Sequence, residues 1–324
     1  MSELAFQILL TFDATLRLAT PLIFCALAGL FSERSGIIDI SLEGKLLGSA
    51  FAAGAIAAVT GSVYLGLLAG VGVSVVMSLV HGFACITHRG NQIISGLAVN
   101  ILASGLTVTL GIAFFRRGGQ TPTLGADERF QPIALPFTEI LEHVPLLGVV
   151  YHELVSGHKL LVYVALVAVP LAALALAKTR FGLRVRAVGE SPEAVDSAGV
   201  SVTWLRYRAI IVAGILCGLA GAYLSTAHGA GFIREMSAGK GYIALAAMIF
   251  GKWRPWAALF ACLLFGFLEA ASSRLIGIEF PIIGEAPTDL MLILPYIMTV
   301  VLLAGFFGRA EAPSALGTPY VKEH

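Results

Sequence analysis

Apolar runs of membrane length alternate with short polar links along most of this 324-residue chain. The first run spans Leu9 to Leu30, with Arg17 near one end and Pro21 inside; a proline is tolerated in a membrane helix when neighbours re-satisfy the freed backbone. A polar link from Ser32 to Gly36 leads into IIDISLEGKLLGSAFAAGAIAAV, which starts polar and turns small and apolar. Asp39, Glu43 and Lys45 are costly in one such stretch unless they face protein, water or one another. The pattern therefore predicts a broken segment feeding the second span. Val63 to Ile86 forms the third span, closed by Thr87-His88-Arg89-Gly90, and Gln92 to Phe115 the fourth. On that fourth span Gln92, Gly96, Asn100, Ser104 and Thr107 fall within about 120° of one another at helical spacing. In lipid such a stripe faces other helices or a wet cavity, and both remain open.

Hydropathy collapses from Arg116 to Lys159, the longest non-spanning loop, in which Pro136 to Val144 fits a short surface helix. Leu160 to Ala177 forms the fifth span, and a basic island from Lys178 to Arg208 separates it from the sixth, Ala209 to Ala227. The glycine-rich HGAGFIREMSAGKG then precedes YIALAAMIFG, which is too short to cross alone. Trp253 and Trp256 flank Pro255, where aromatic residues favour the membrane interface. Two further spans, Trp256 to Ile276 and Leu290 to Phe307, are separated by a loop with Pro281 and Pro287, and a polar tail from Arg309 reads as loosely ordered. The expected fold class is all-α: a polytopic membrane protein of about nine transmembrane helices with broken or re-entrant segments. The whole chain, 1–324, reads as one membrane domain.

Composition agrees, with 57% hydrophobic and 13% charged residues against about 25% charged in soluble domains. The net charge of +1 gives no case for nucleic acid. Its distribution is more telling. If the basic island is cytoplasmic, alternation places twelve of the 21 Lys and Arg residues on that side and seven on the other. The positive-inside rule then puts the island (178–208) and the tail (309–324) in the cytoplasm, the long loop (116–159) and the N-terminus outside. The start of the chain lacks a basic region and a convincing cleavage site, so no removable signal peptide is expected. Cys25, Cys85, Cys217 and Cys262 are scattered through apolar runs, which suits small buried hydrophobes rather than a disulfide framework or metal site.

The chemistry-bearing motifs are few. Gly44-Lys45, Gly239-Lys240 and Gly251-Lys252 lack the following hydroxyl that a phosphate-binding loop needs for magnesium, so the chain is not expected to hold ATP. No catalytic constellation such as G-x-S-x-G or H-E-x-x-H is present, so an enzyme is not expected. Two segments share a pattern: IIDISLEGKLLGSAFAAG and IREMSAGKGYIALAAMIFG each place an acid, a serine and Gly-Lys before a small-residue apolar run. They occupy matching places on opposite membrane sides, and interrupted segments in two inverted halves point to a transport path near the midplane. Within the island, Ser191 suits an N-cap, Pro192 the first helical position and Glu193 the first turn, so a helix is predicted to run to about Ala198 and stop at Gly199.

The run Gly182-Leu-Arg-Val-Arg-Ala-Val-Gly-Glu-Ser-Pro-Glu-Ala, with Ala198-Gly199-Val200, resembles the coupling loop of bacterial ATP-binding-cassette importer permeases of the branched-chain amino acid and ribose type. Ser32-Glu-Arg-Ser-Gly-Ile-Ile-Asp-Ile-Ser-Leu-Glu-Gly is similar to the signature of the nucleoside and simple-sugar subgroup, and Asn91 to Asn100 and Met236 to Ala246 resemble two further subgroup segments. Asp39 stands where that subgroup commonly has asparagine, and Lys45 where an apolar residue is usual. The resemblance implies an inner-membrane importer subunit for nucleosides or related purine and simple-sugar solutes, with ATP and magnesium bound only by partners. Those partners would be cytoplasmic ATPase subunits, a second related permease and an extracytoplasmic solute-binding protein. Arg184, Arg186, Gly189, Glu190, Ser191, Pro192, Glu193, Ala194 and Gly199 are the implied ATPase-coupling residues. Polarity within the membrane nominates Asp39, Ser41, Glu43, Gln92, Asn100, Ser104, Glu235 and Ser237 for the translocation path. A rival from another class is a secondary transporter driven by an ion gradient, with Glu43 or Asp39 as its coupling carboxylate.

Overall fold

A computed structural model describes residues 3–136, 147–275, 279–280, 284–285, 293, 297 and 311–322. Its helices in chain order are α1 (Glu3–Arg34), α2 (Leu42–Thr60), α3 (Val63–Gly82), α4 (Gln92–Phe115), α5 (Leu147–Leu154), α6 (Leu160–Lys178), α7 (Arg180–Glu190), α8 (Pro192–Ser197), α9 (Val202–Tyr223), α10 (Lys240–Phe250) and α11 (Pro255–Leu275). Among the described residues the regular structure is helical apart from a two-residue antiparallel pair, Glu279–Phe280 with Gly284–Glu285, and an isolated bridge between Pro132 and Lys159. Among the described residues seven helices are long and apolar enough to cross a membrane, and α10 is a shorter apolar helix. These match the expected spans one to six and the span after Pro255. Most of the expected span from Leu290 to Phe307 and most of the Pro136–Val144 helix lie outside the described residues.

Three helices form the centre. α1, α2 and α9 are mostly buried, whereas α3, α4 and α6 turn large apolar side chains such as Leu68, Ile101 and Leu171 outward. Small residues decide how closely the centre packs. On α3, Gly66, Gly70, Ser74, Ser78 and Gly82 recur every fourth position and are all buried. Gly214, Gly218 and Gly221 of α9 meet that stripe and α2. A Cβ on Gly218 would lie 2.6 Å from Val71 Cα, and one on Gly221 only 1.8 Å from Ser49 Oγ. Apolar burial gives little drive for helices to associate within lipid, so such close backbone contact supplies it. Both α3 and α9 end in a π-helical turn, Phe83–Thr87 and Leu224–His228.

The structure corrects two expectations about the polar ends. The stretch after Lys178 is helical before Ser191 as well as after it, because Phe181, Val185 and Val188 form an apolar face that packs on the bundle. The tail is also ordered: residues 311–322 fold back onto the end of α7 and the turn at Gly36 through backbone hydrogen bonds, onto the start of α9 through Arg206, and onto α8 through the Lys322–Asp196 ion pair. All four cysteines are free and buried, as expected, with Cys25 Sγ 3.8 Å from Cys217 Sγ.

Candidate functional site

The first broken segment, Gly36–Ser41, is held open by side chains from three helices. Gly36 takes φ +89°, which glycine adopts without strain, and Ser32 Oγ donates to Ile37 O at 2.9 Å. Ile38 N–H donates to Gln92 Oε1 at 2.7 Å. The Ile38 carbonyl lies 3.0 Å from His81 Nε2, which must be the donor there; in the neutral ring Nδ1 then accepts from Ser95 Oγ, also 3.0 Å away. Beneath them Lys45 Nζ and Asp39 Oδ2 pair at 2.6 Å, both side chains fully buried, and Ser41 Oγ donates to Asp39 at 2.5 Å. The three charges predicted for this stretch are thus accommodated separately: two face each other, and Glu43 does something else.

Glu43 caps a different helix. Its Oε1 accepts from Gly239 N–H at 2.9 Å and its Oε2 from Gly241 N–H at 2.7 Å, the first donors of α10. A carboxylate suits the positive end of a helix. Gly241 is required here, since a Cβ would lie 2.5 Å from Glu43 N. Asn100 on α4 ties the two helix starts together: its Oδ1 accepts from Gly44 N–H at 2.8 Å, and its Nδ2 donates to Ile40 O at 3.0 Å and Tyr242 Oη at 2.9 Å. The N-termini of α2 and α10 therefore meet. The far end of α10 is fixed to the end of α1, where Trp253 Nε1 donates to Glu33 Oε2 at 2.7 Å and Arg34 Nη2 donates to Trp253 O at 3.0 Å. Eleven helical residues span about 16 Å, roughly half a 30 Å hydrocarbon core, which puts the Glu43 junction near mid-depth.

Across the junction lie the remaining path candidates. Ser104 Oγ donates to Glu235 Oε1 at 2.5 Å, and Glu235 takes φ +54° in the loop before α10. Ser237 is fully buried, and its Oγ makes no hydrogen bond among the described residues. Lys240 Nζ pairs with Glu269 Oε1 at 2.6 Å, beside a cavity of about 430 Å³ lined by Thr121, His228, Phe232, Ile233, Lys240 and Glu269. Phe232 N–H donates to Thr121 Oγ1 at 2.8 Å and so fixes the long loop to this wall. Nearby Lys159 donates to Ala227 O, and partial burial together with Arg129 and Arg17 lowers its pKa.

The structure thus joins Asp39 to Ser41, Glu43 and Asn100 to the helix junction, and Ser104 to Glu235, while Gln92 stands one step back on the broken segment. The α4 stripe is used mainly between helices, since Gln92, Gly96, Asn100 and Thr107 are buried. Tyr242, Glu269 and His81 were not singled out from sequence. Glu269, a lone acid in an apolar run, carried the signal that intramembrane charge gives.

The coupling candidates cluster at the other end of the bundle. α8 runs from Pro192 to Ser197 as predicted, with Ser191 at the N-cap position making no capping bond and Gly199 at φ +77° just after it. Arg184, Glu190, Glu193, Ala194 and Gly199 are exposed, Arg186 and Ser191 are partly buried, and Pro192 is buried. Gly189 is buried against α1, where a Cβ would come 2.3 Å from Arg34 O.

A polytopic helical protein whose two interrupted segments meet through capping side chains at mid-depth is built as a membrane permease. The chain belongs to the branched-chain amino acid transport system / permease component family, whose pattern matches residues 11–303. It is 38% identical, over 95% of each chain, to the guanosine ABC transporter permease protein NupQ of Bacillus subtilis. It is 36% identical, over 94% of each chain, to the nucleoside ABC transporter permease protein NupC of Lactococcus lactis. The putative glucose ABC transporter permease protein TsgC13 of Haloferax volcanii is 33% identical over 96% of this chain and 97% of its own. No solved structure matches this chain.

Proposed function

We propose that this chain is the membrane-spanning subunit of an ATP-binding-cassette importer that moves nucleosides, or related purine and simple-sugar solutes, inward by alternating access. The full-length likeness to guanosine and nucleoside permeases carries this assignment. ATP is hydrolysed on separate cytoplasmic subunits. A second, related permease completes the membrane pair, and an extracytoplasmic binding protein delivers the solute. A relative named nucleoside ABC transporter permease protein NupB, 31% identical over 110 residues, fits the idea of paired permeases. The cavity beside Lys240 and Glu269 is the outer chamber in this scheme, and the Glu43–Asn100 junction is the floor below it. α8 with Glu190 and Glu193 receives the ATPase. Glu43 keeps both oxygens on backbone donors of α10, which suits a hinge better than an ion-coupling site.

The test is ATPase activity of membranes co-expressing this chain with candidate ATPase and binding-protein partners, with and without nucleoside. Nucleoside-stimulated hydrolysis that disappears in Glu190→Arg is the expected result. Uptake by this chain alone, driven by an ion gradient and indifferent to ATP, would overturn the assignment.

A further inference from the structure

The tail fastens two parts of the molecule that are distant in sequence. Ala315 N–H donates to Gly189 O at 2.8 Å and Gly317 N–H donates to Gly36 O at 3.0 Å. Ser314 Oγ donates to Glu190 Oε2 at 2.9 Å. Arg206, 1% exposed, donates from Nη1 to Thr318 O at 3.3 Å and from Nε to Ser35 O at 3.1 Å. A buried guanidinium needs acceptors to stay inside, and for Arg206 the tail supplies one of the two. The strap therefore joins the end of α7 directly to the first residue of the broken segment.

The outer side of the same strap is one wall of a groove of about 420 Å³. Glu190, Pro192 and Glu193 line the groove from the α7–α8 side, and Thr318, Tyr320 and Val321 from the tail. Val321 is 51% exposed on a polar segment, away from the lipid-facing spans where most exposed large apolar residues lie. Glu193 beside it is exposed and makes no ion pair among the described residues. Such a groove, acidic at one edge and apolar at the other, fits a protein surface offering a basic side chain next to an apolar one.

We propose that the tail and α8 form one composite docking surface for the ATPase subunit, with Thr318–Val321 in direct contact with it. This rests on the importer function proposed above. The tail is then more than a spacer: force applied at the docking surface passes through the Ala315 and Gly317 backbone bonds to Gly36, and so to the segment that carries Asp39.

Site-specific photo-crosslinking in membranes holding the full chain and its ATPase tests this. A benzophenone amino acid would replace Val321, Glu193 or, as a control exposed at the far end of α2, Val59. ATPase adducts from positions 321 and 193, and none from 59, are expected. Adducts from 193 without 321 would overturn tail docking and leave the importer assignment standing. Adducts from neither would overturn both. In an Ala315→Pro background, which removes the N–H to Gly189, the 321 adduct should fall severalfold while the 193 adduct persists; equal yields with and without the proline would remove the strap from the pathway.

Discussion

At the scale of single residues the Asp39–Lys45 pair has the most to lose. Both side chains are fully buried, so removing one partner strands the other, which costs about 3–5 kcal/mol in buried pairs. Lys45→Met should lower unfolding stability in detergent by about that amount, and adding Asp39→Asn should recover most of the loss, because Ser41 can still bond the amide. Equal stability of the single and double variants would show that the pair is not coupled. The sequence exposed the charges but not their pairing. Three charges within seven residues have several ways to be satisfied, and only the fold shows that Glu43 turns away to α10 while Lys45 turns back to Asp39. Arg206 was legible as a basic residue but not as a buried one, since the carbonyls that hold it belong to Ser35 and Thr318.

Elements were legible where periodicity or length determines them. The spans could be read from apolar runs, and the break before α2 from its polar residues. Helix α7 was hidden because Gly182 and Gly189 look like breakers; they are present instead because neighbouring backbone approaches closely, a Cβ on Gly182 falling 2.1 Å from Ala175 O. The same logic governs the α2–α3–α9 contact. Gly221→Ala should destabilise the protein by about 1–3 kcal/mol, as overpacking does, and Ser49→Gly should restore only part of it, because Leu46 O would still lie 2.4 Å from the new Cβ. Gly105→Ala, with nothing within 4 Å of its Cβ, is the matched control and should be neutral or better in thermal denaturation. A Gly221→Ala variant as stable as the parent would mean that α2 and α9 pack more loosely than described.

On the whole-molecule scale, the contacts sort the polar ends into two groups. Arg34, Gly36, Gly189, Arg206, Trp253 and Thr318 meet at one end, while Arg17, Thr121, Lys159, Ala227 and Phe232 belong to the other. The Lys and Arg count predicts that the first of these ends is the cytoplasmic one. With all native cysteines buried, Lys322→Cys should resist a membrane-impermeant maleimide in intact cells and react once they are opened, whereas Gln120→Cys should react at once; the reverse pattern would invert the topology. The order of the tail was beyond the reach of composition, because it depends on partners more than a hundred residues away. The Glu43 junction has a consequence for energetics outside the protein. Each helix start carries roughly half a positive charge, so the two that meet there offset one carboxylate, and Asp39–Lys45 and Lys240–Glu269 are each neutral as pairs. Rearranging these groups, with Glu235 staying on Ser104, displaces almost no net charge through the membrane field, which would otherwise exert about 2.3 kcal/mol per charge per 100 mV. Turnover in proteoliposomes should then stay flat as a potassium diffusion potential is varied, leaving the transporter to run at the same pace in energised and depolarised cells.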